Sequence, residues 1–143
     1  MARIKIALPE QFSFSCQIAV RITDINYGGH VGNDTILTIV HEARMQFLNS
    51  LGFTEMNFGG IGMIMADAAI EFKNELFYGE TVITSVVVTD ISKIGFDLIY
   101  KLEKEKEGNK KIIAIAKTGM ICYDYSVKKI TAIPEVALKK ITS

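Results

Sequence analysis

Residues 23–34 read Thr23-Asp24-Ile25-Asn26-Tyr27-Gly28-Gly29-His30-Val31-Gly32-Asn33-Asp34. Glycines, asparagines and a histidine crowd the space between two stretches of different hydrophobic period. Upstream, Phe12 to Ile25 alternates, with Phe12, Phe14, Cys16, Ile18 and Val20 on one parity, which predicts a strand. Downstream, Thr35 to Leu51 steps by three and four through Ile36, Ile39, Val40, Ala43, Phe47 and Leu51, widened by Leu37 and Leu48. The period changes from strand to helix across this window, so it is a loop. It is richer in special residues than a plain connector requires.

The helix has sequence signals at both ends. Asn33 or Asp34 is suited to cap the first turn through a side-chain oxygen, and Gly52 suits a left-handed stop. Thr35, Thr38, Glu42, Gln46 and Asn49 form its polar stripe. His41 borders the apolar face, and Arg44 falls on it, which implies a buried pair or a snorkelling stem.

Beyond the helix the chain reads mostly as strand. Met63 to Phe77 is extended, with Ala66, Ala68, Ile70 and Phe72 on one face and Asp67, Ala69, Glu71 and Lys73 on the other. Thr81 to Ile91 is rich in valine and threonine. Lys93 to Glu103 alternates through Ile94, Phe96, Leu98, Tyr100 and Leu102. Lys104 to Lys110 reads as a charged, solvated hairpin loop, Lys111 to Tyr125 as a further strand, and Pro134 to Ile141 as a short helix with Pro134 in its first turn. Short connections favour antiparallel pairing. One helix cannot cover both faces of such a sheet, so the expected class is α+β, one antiparallel sheet wrapped around one long helix, in a single domain over residues 1–143. The sheet edge calls for a partner subunit.

Composition removes several function classes. Lys plus Arg balance Asp plus Glu at 16 each, so no net field draws nucleic acid or an anionic membrane. No apolar run is long enough to span a bilayer, and the first residues lack a signal-peptide pattern, so a cytoplasmic location without membrane insertion is expected. Cys16 and Cys122 fall in predicted strands and are expected as reduced, buried thiols. Neither has local metal-ligand spacing, and the glycine-rich phosphate-binding and nucleophile-elbow motifs are absent.

The run from Arg21 to Asn33, followed by a helix containing His41-Glu42-Ala43-Arg44, resembles the hotdog-fold acyl-CoA thioesterases, in the 4-hydroxybenzoyl-CoA thioesterase-like branch. Glu71-Phe72 before Phe77-Tyr78-Gly79-Glu80, Ala116-Lys117-Thr118 before Cys122-Tyr123-Asp124, and Lys128 to Pro134 extend the likeness from about Phe12 to Pro134. The resemblance implies a hotdog fold, a homodimer or homotetramer with sites between subunits, and hydrolysis of a coenzyme A thioester with no metal or separate cofactor. The chain departs from the family pattern at Asn26, where an aspartate is usual, at Gly32, where an asparagine is usual, and at His41, which stands at the helix glutamate position beside Glu42.

Candidate catalytic residues are therefore Asn26, His30, His41 and Glu42, with Asp24, Tyr27, Gly28, Gly29, Val31, Asn33 and Asp67 as candidates for substrate binding. An imidazole titrates near neutrality and suits a base or a hydrogen-bond donor; a carboxamide cannot act as a base but can orient water or bond a carbonyl. Backbone N–H groups around Gly29 to Val31, with the helix N-terminus next to them, suit a developing oxyanion. Turn formation and helix capping are the competing structural uses of Asn26 and Asn33, and a boundary histidine and solvated glutamate those of His41 and Glu42. Substrate alternatives are an acyl-CoA or an acyl-carrier-protein thioester. Functional alternatives are a hotdog hydratase or dehydratase and a non-catalytic acyl-thioester-binding module.

Overall fold

The computed structural model describes residues 2–143. Six strands and two helices follow in the order β1 (Phe14–Ala19), α1 (Asn33–Ser50), β2 (Gly62–Phe72), β3 (Thr81–Thr89), β4 (Gly95–Lys106), β5 (Asn109–Asp124), β6 (Lys129–Ile130) and α2 (Glu135–Thr142). The sheet order is β1-β3-β4-β5-β2, with β6 paired to the end of β5, and every pairing is antiparallel. The sheet encloses α1: this is the hotdog architecture expected from the sequence.

Helix α1 buries Ile36, Ile39, Val40, Ala43, Arg44, Phe47 and Leu48, positions that share one face at helical spacing. The inner row of β4, Phe96, Leu98, Tyr100 and Leu102, joins them in the core. Each apolar side chain buried this way stabilises by roughly 1.5–3 kcal/mol. The helix stops where Gly52 takes φ +86; its N–H bonds Asn49 O and Phe53 N–H bonds Leu48 O, which satisfies the last carbonyls.

Four local expectations are corrected. The first strand ends at Ala19, well before Ile25, and residues 22–24 form a single 3₁₀ turn. The Asp24 carboxylate closes that turn by accepting the Arg21 N–H at 2.8 Å. The helix begins at Asn33 with Gly32 as its cap, and no side-chain oxygen caps it. Strand β2 ends at Phe72, five residues early, because the Lys73 and Asn74 N–H groups both turn to Ile113 O.

A bulge between Met65 and Asp67 also shifts the parity of β2. Cross-strand partners share a face. Met63 and Met65 oppose the inward Cys122 and Met120, whereas Ala68 and Ile70 oppose the inward Thr118 and Ala116. Ala66 is the extra residue rather than a member of the inner row.

The fourth correction concerns the supposed charged loop at 104–110. Strand β4 runs to Lys106 and β5 starts at Asn109, leaving Glu107 and Gly108 as a two-residue turn with φ +55 and +81. Lys104, on the parity of the core row, is buried at 4% exposure.

Both cysteines are free thiols; Cys122 is buried as expected, whereas Cys16 is only half-buried. Burial pushes the Cys122 thiol up to about 11, and burial followed by the Glu42 charge raises Cys16. No helix among the described residues is long and apolar enough to cross a membrane.

Candidate active site

The loop between the 3₁₀ turn and α1 is a small closed structure. Ile25 and Val31 form an antiparallel bridge, and Asn26 N–H donates to His30 O at 2.9 Å. Gly29, at φ +86, reverses the chain and donates its N–H to Asn26 O at 3.1 Å. The Asn26 side-chain oxygen accepts Gly28 N–H at 2.8 Å, an Asx turn. Val31 is buried and its N–H bonds Leu76 O at 2.8 Å, which pins the loop to the β2–β3 connection.

These bonds settle the hydrogen-bonding state of His30. Its Nδ1 lies 2.9 Å from Val31 O. A carbonyl oxygen only accepts, so Nδ1 carries the proton and neutral His30 presents an unprotonated Nε2. A Cβ added at Gly28 would lie 3.2 Å from Asn26 Oδ1 and 3.7 Å from His30 Nε2, so both side chains gather around this glycine. Asn26 Nδ2 lies beside Gly32 in the same sense, at 3.7 Å. A Cβ at Gly32 would come within 2.6 Å of Asp34 Oδ1, so a larger residue there requires the Asp34 carboxylate to move.

With no side-chain cap on α1, the N–H groups of Asn33 and Asp34 have no intrahelical acceptor. They are better placed to polarise a carbonyl than the N–H groups of Gly29 and Val31, which are engaged within the protein. Beside the loop lies an open cleft of about 290 Å³, lined by His30, Val31 and Asn33 on one side and by Phe72 to Leu76 on the other. Tyr27 is fully exposed beyond it.

The remaining candidates lie elsewhere. Asp24, His41 and Glu42 line a second cavity of about 430 Å³ between β1 and α1. There His41 Nε2 donates to Glu55 Oε1 at 2.7 Å, and Glu55 Oε2 accepts Arg44 Nε at 3.1 Å. Arg44 continues to the Tyr100 hydroxyl at 3.3 Å, which bonds Thr118 Oγ1 at 2.7 Å. Arg44 is thus the buried, paired cation that its place on the apolar stripe implied. Glu42 is exposed and accepts Gln46 Nε2 at 2.8 Å. Asp24 is buried on Arg21.

Asp67 sits on the sheet face opposite α1, with Gly119 and Asp97 across the strands. The Lys117 ammonium at 2.8 Å holds its carboxyl below the usual carboxylate range, helped by Gly119 N–H, while burial raises Asp97. Within one chain, the structure brings Asn26, Gly28, Gly29, His30, Val31 and Asn33 together and leaves Asp67 apart. Sequence reasoning missed Glu55 and Lys104. Glu55 had no signal, since its partners are 11 and 14 residues away across a loop. Lys104 had one, its parity. Among the described residues no group of three or more His, Cys, Asp or Glu side chains is placed to hold a metal ion.

A loop folded onto the free N-terminus of a helix inside a wrapped sheet is the arrangement of one class of protein. The chain belongs to the thioesterase-like superfamily, whose family model matches residues 20–141. A curated Aquifex aeolicus (strain VF5) protein, provisionally named an esterase, is 27% identical over 122 residues, 84% of this chain and 91% of its own. A 1,4-dihydroxy-2-naphthoyl-CoA thioesterase from Synechocystis superposes with a TM-score of 0.81 at 21% identity, over 91% of this chain and 96% of that one. A variant of 4-hydroxybenzoyl-CoA thioesterase, complexed with 4-hydroxybenzoyl-CoA, superposes at 0.80 with 12% identity, over 90% and 97%.

The Glu55 network separates its two cations by burial. Arg44 is 6% exposed at its side chain and His41 54%. Arg44→Ala is expected to lower stability by about 2 kcal/mol or more, through the lost charged hydrogen bonds to Glu55 and Tyr100, the latter hydroxyl keeping its bond to Thr118. His41→Ala is expected to cost less than about 1 kcal/mol. Urea midpoints measure both, and a larger loss at His41 would contradict the assignment.

Proposed function

We propose that the protein hydrolyses an acyl-CoA thioester to the free acid and coenzyme A. One observation carries the reading: His30, whose neutral ring bonds Val31 O through Nδ1–H and so leaves Nε2 as the acceptor, gathers with Asn26 around Gly28, next to the uncapped α1 N-terminus. Membership of the thioesterase-like superfamily and the CoA-thioester ligand of a structural neighbour support it.

In this reading the thioester carbonyl oxygen points to the N–H groups of Asn33 and Asp34, where the helix dipole favours developing negative charge. His30 Nε2 takes a proton from water as its oxygen bonds the carbonyl carbon, giving a tetrahedral oxyanion. Collapse re-forms the carbonyl, breaks the C–S bond, and returns the His30 proton to the departing sulfur. Asn26 Nδ2–H orients the water or the carbonyl, and the site needs no cofactor beyond the coenzyme A of the substrate. Tyr27, Gly28, Gly29 and Val31 shape the entrance to the cleft.

The active form is a homodimer or homotetramer. Strand β2 ends the sheet path, and its exposed Met65, Ala66, Ala68 and Phe72 leave apolar surface along that edge. A second copy would also bring another chain's Asp67 face within reach of the loop. Light scattering at micromolar concentration is expected to give at least twice the chain mass; a monomer would remove the intersubunit part of the proposal.

A hydratase or dehydratase reading draws on one observation, His41 of the central helix paired with Glu55 of the loop that follows it, beside the 430 Å³ cavity. The deciding experiment is a panel of acyl-CoA chain lengths, with saturated and enoyl members, followed by thiol release and by loss of the enoyl chromophore. Thiol release supports hydrolysis, chromophore loss without it supports hydration, and binding without either supports a non-catalytic module. His30→Ala is expected to lower thiol release at least tenfold, a floor set below the about 10²–10⁴ of acid–base assistance because water partly replaces the ring. Unchanged release would move the chemistry away from the loop.

Asn26→Asp places a carboxylate where the wild type has a carboxamide. It keeps an acceptor for Gly28 N–H and adds a base beside the carbonyl. Turnover is expected to rise, with nearby Asp24 and Asp34 limiting the gain by raising the new group's pKa. A folded Asn26→Asp protein that binds acyl-CoA and hydrolyses it no faster would show that this side chain does not limit the rate.

A further inference from the structure

We infer that Lys104, remote in sequence from the loop and buried on β4, is a positioning residue for the hydrolytic site. The inference rests on the reading of His30 as the base. Lys104 extends the core-facing parity of Phe96, Leu98, Tyr100 and Leu102, so its methylene stem lies in the core and its ammonium emerges beneath the β2–β3 turn. There the ammonium donates to Glu75 O at 2.9 Å and to Glu80 Oε1 at 2.9 Å, and sits 5.1 Å from the centre of the Phe77 ring. Glu80 Oε1 also accepts Phe77 N–H at 2.7 Å. One buried cation therefore holds the turn at Glu75 and Glu80, with the Phe77 ring packed against it.

What the turn holds makes this more than a structural staple. Residue 76, between the two held positions, offers its carbonyl to Val31 N–H at 2.8 Å. Val31 follows His30 and accepts the Nδ1–H that orients the ring. The chain of contacts runs from Lys104 to Glu75 and Glu80, through Leu76 O to Val31, and from Val31 O to the imidazole. Residues 72–76 are also the wall of the 290 Å³ cleft facing His30. Removing the ammonium loosens residues 75–80, which include the end of that wall and the anchor of the base, while Lys73 and Asn74 keep their own bonds to Ile113. Misplacement by about 1 Å is enough to cost up to about 10²-fold in rate.

The test is a double-mutant cycle in the full chain, with thiol release from an acyl-CoA as readout. Lys104→Met keeps the stem and removes the charge. It is expected to lower kcat roughly tenfold or more with KM changed far less, because Lys104 is buried and does not line the cleft. In the His30→Ala background the same substitution is expected to have little further effect, since a misplaced base and a missing base are equivalent. Lys104→Arg, which keeps a cation and donors, is expected to recover part of kcat. Should Lys104→Met lose its cooperative melt, Glu80→Gln carries the same cycle, weakening the ammonium's anchor while keeping an acceptor for Phe77 N–H. Equal losses in both backgrounds, or no loss in a well-folded Lys104→Met, would overturn the positioning role and leave the hydrolytic reading standing. Unchanged turnover in His30→Ala alone would bring down that reading and this inference with it.

Discussion

Helix α1 must lose water from one whole face, and one of the seven positions on that face is an arginine. The six apolar side chains require a concave surface, which a curved antiparallel sheet supplies. The guanidinium requires hydrogen-bond acceptors inside that surface, because a charge buried without partners would cost several kcal/mol. Tyr100 on β4 and Glu55 in the loop after the helix meet this demand, and Thr118 on β5 completes it by bonding the Tyr100 hydroxyl. These contacts fix the roll of the helix against the sheet. An apolar face alone would tolerate small rotations; a fork bonded to a tyrosine and a carboxylate tolerates far fewer.

Once α1 is fixed in roll and height, its N-terminus is fixed too, and the loop at 25–31 has a rigid object to fold against. The loop holds itself by backbone bonds and one Asx turn, and its single tie to the sheet side is Val31 to Leu76. Strain is confined to glycine: Gly29 takes the positive φ the reversal needs. The polar residues in this short window therefore divide into those that build the loop and those left over. Asp24 builds the 3₁₀ turn, and Asn26 Oδ1 holds Gly28. The groups left over include His30 Nε2, the His30 N–H, Asn26 Nδ2 and the first N–H groups of α1.

Periodicity carried most of the fold. Helix α1 and the inner rows of β1 and β4 are written in local spacing, so they were legible, as was the stop at Gly52. The resemblance of the loop and helix motifs gave the wrapping. What local spacing could not show was non-local. The bulge at Ala66 depends on pairing with β5, and the end of β2 on which carbonyl the Lys73 and Asn74 N–H groups reach. Lys104 was read as solvated because charge outweighed parity in the reading. Its parity was right, since an acceptor pocket formed by residues 75–80 lies over it. In the site, the residue types of the loop were legible and their partners were not. The free N–H groups lie at Asn33 and Asp34 because Gly29 and Val31 bond elsewhere, a fact of tertiary structure.

The two histidines can now be separated by distance along the helix. His41 is eight residues beyond Asn33, so at about 1.5 Å per residue it stands roughly 12 Å up the axis from the N–H groups of the first turn. The helix dipole acts mainly within that first turn. A carbonyl close enough to be polarised there is out of hydrogen-bond reach of His41 in the same chain. His41 is also tied by Glu55 to Arg44, the cation that sets the helix roll, and Glu42 bonds its own helix at Gln46. His30 has neither constraint: one nitrogen is fixed by the residue that follows it, and the other lies beside Gly28 with no hydrogen-bond partner among the described residues. Of the two imidazoles, the one in the loop keeps a ring nitrogen with no partner among the described residues, and the one on the helix is tied through Glu55 to the cation buried beneath it.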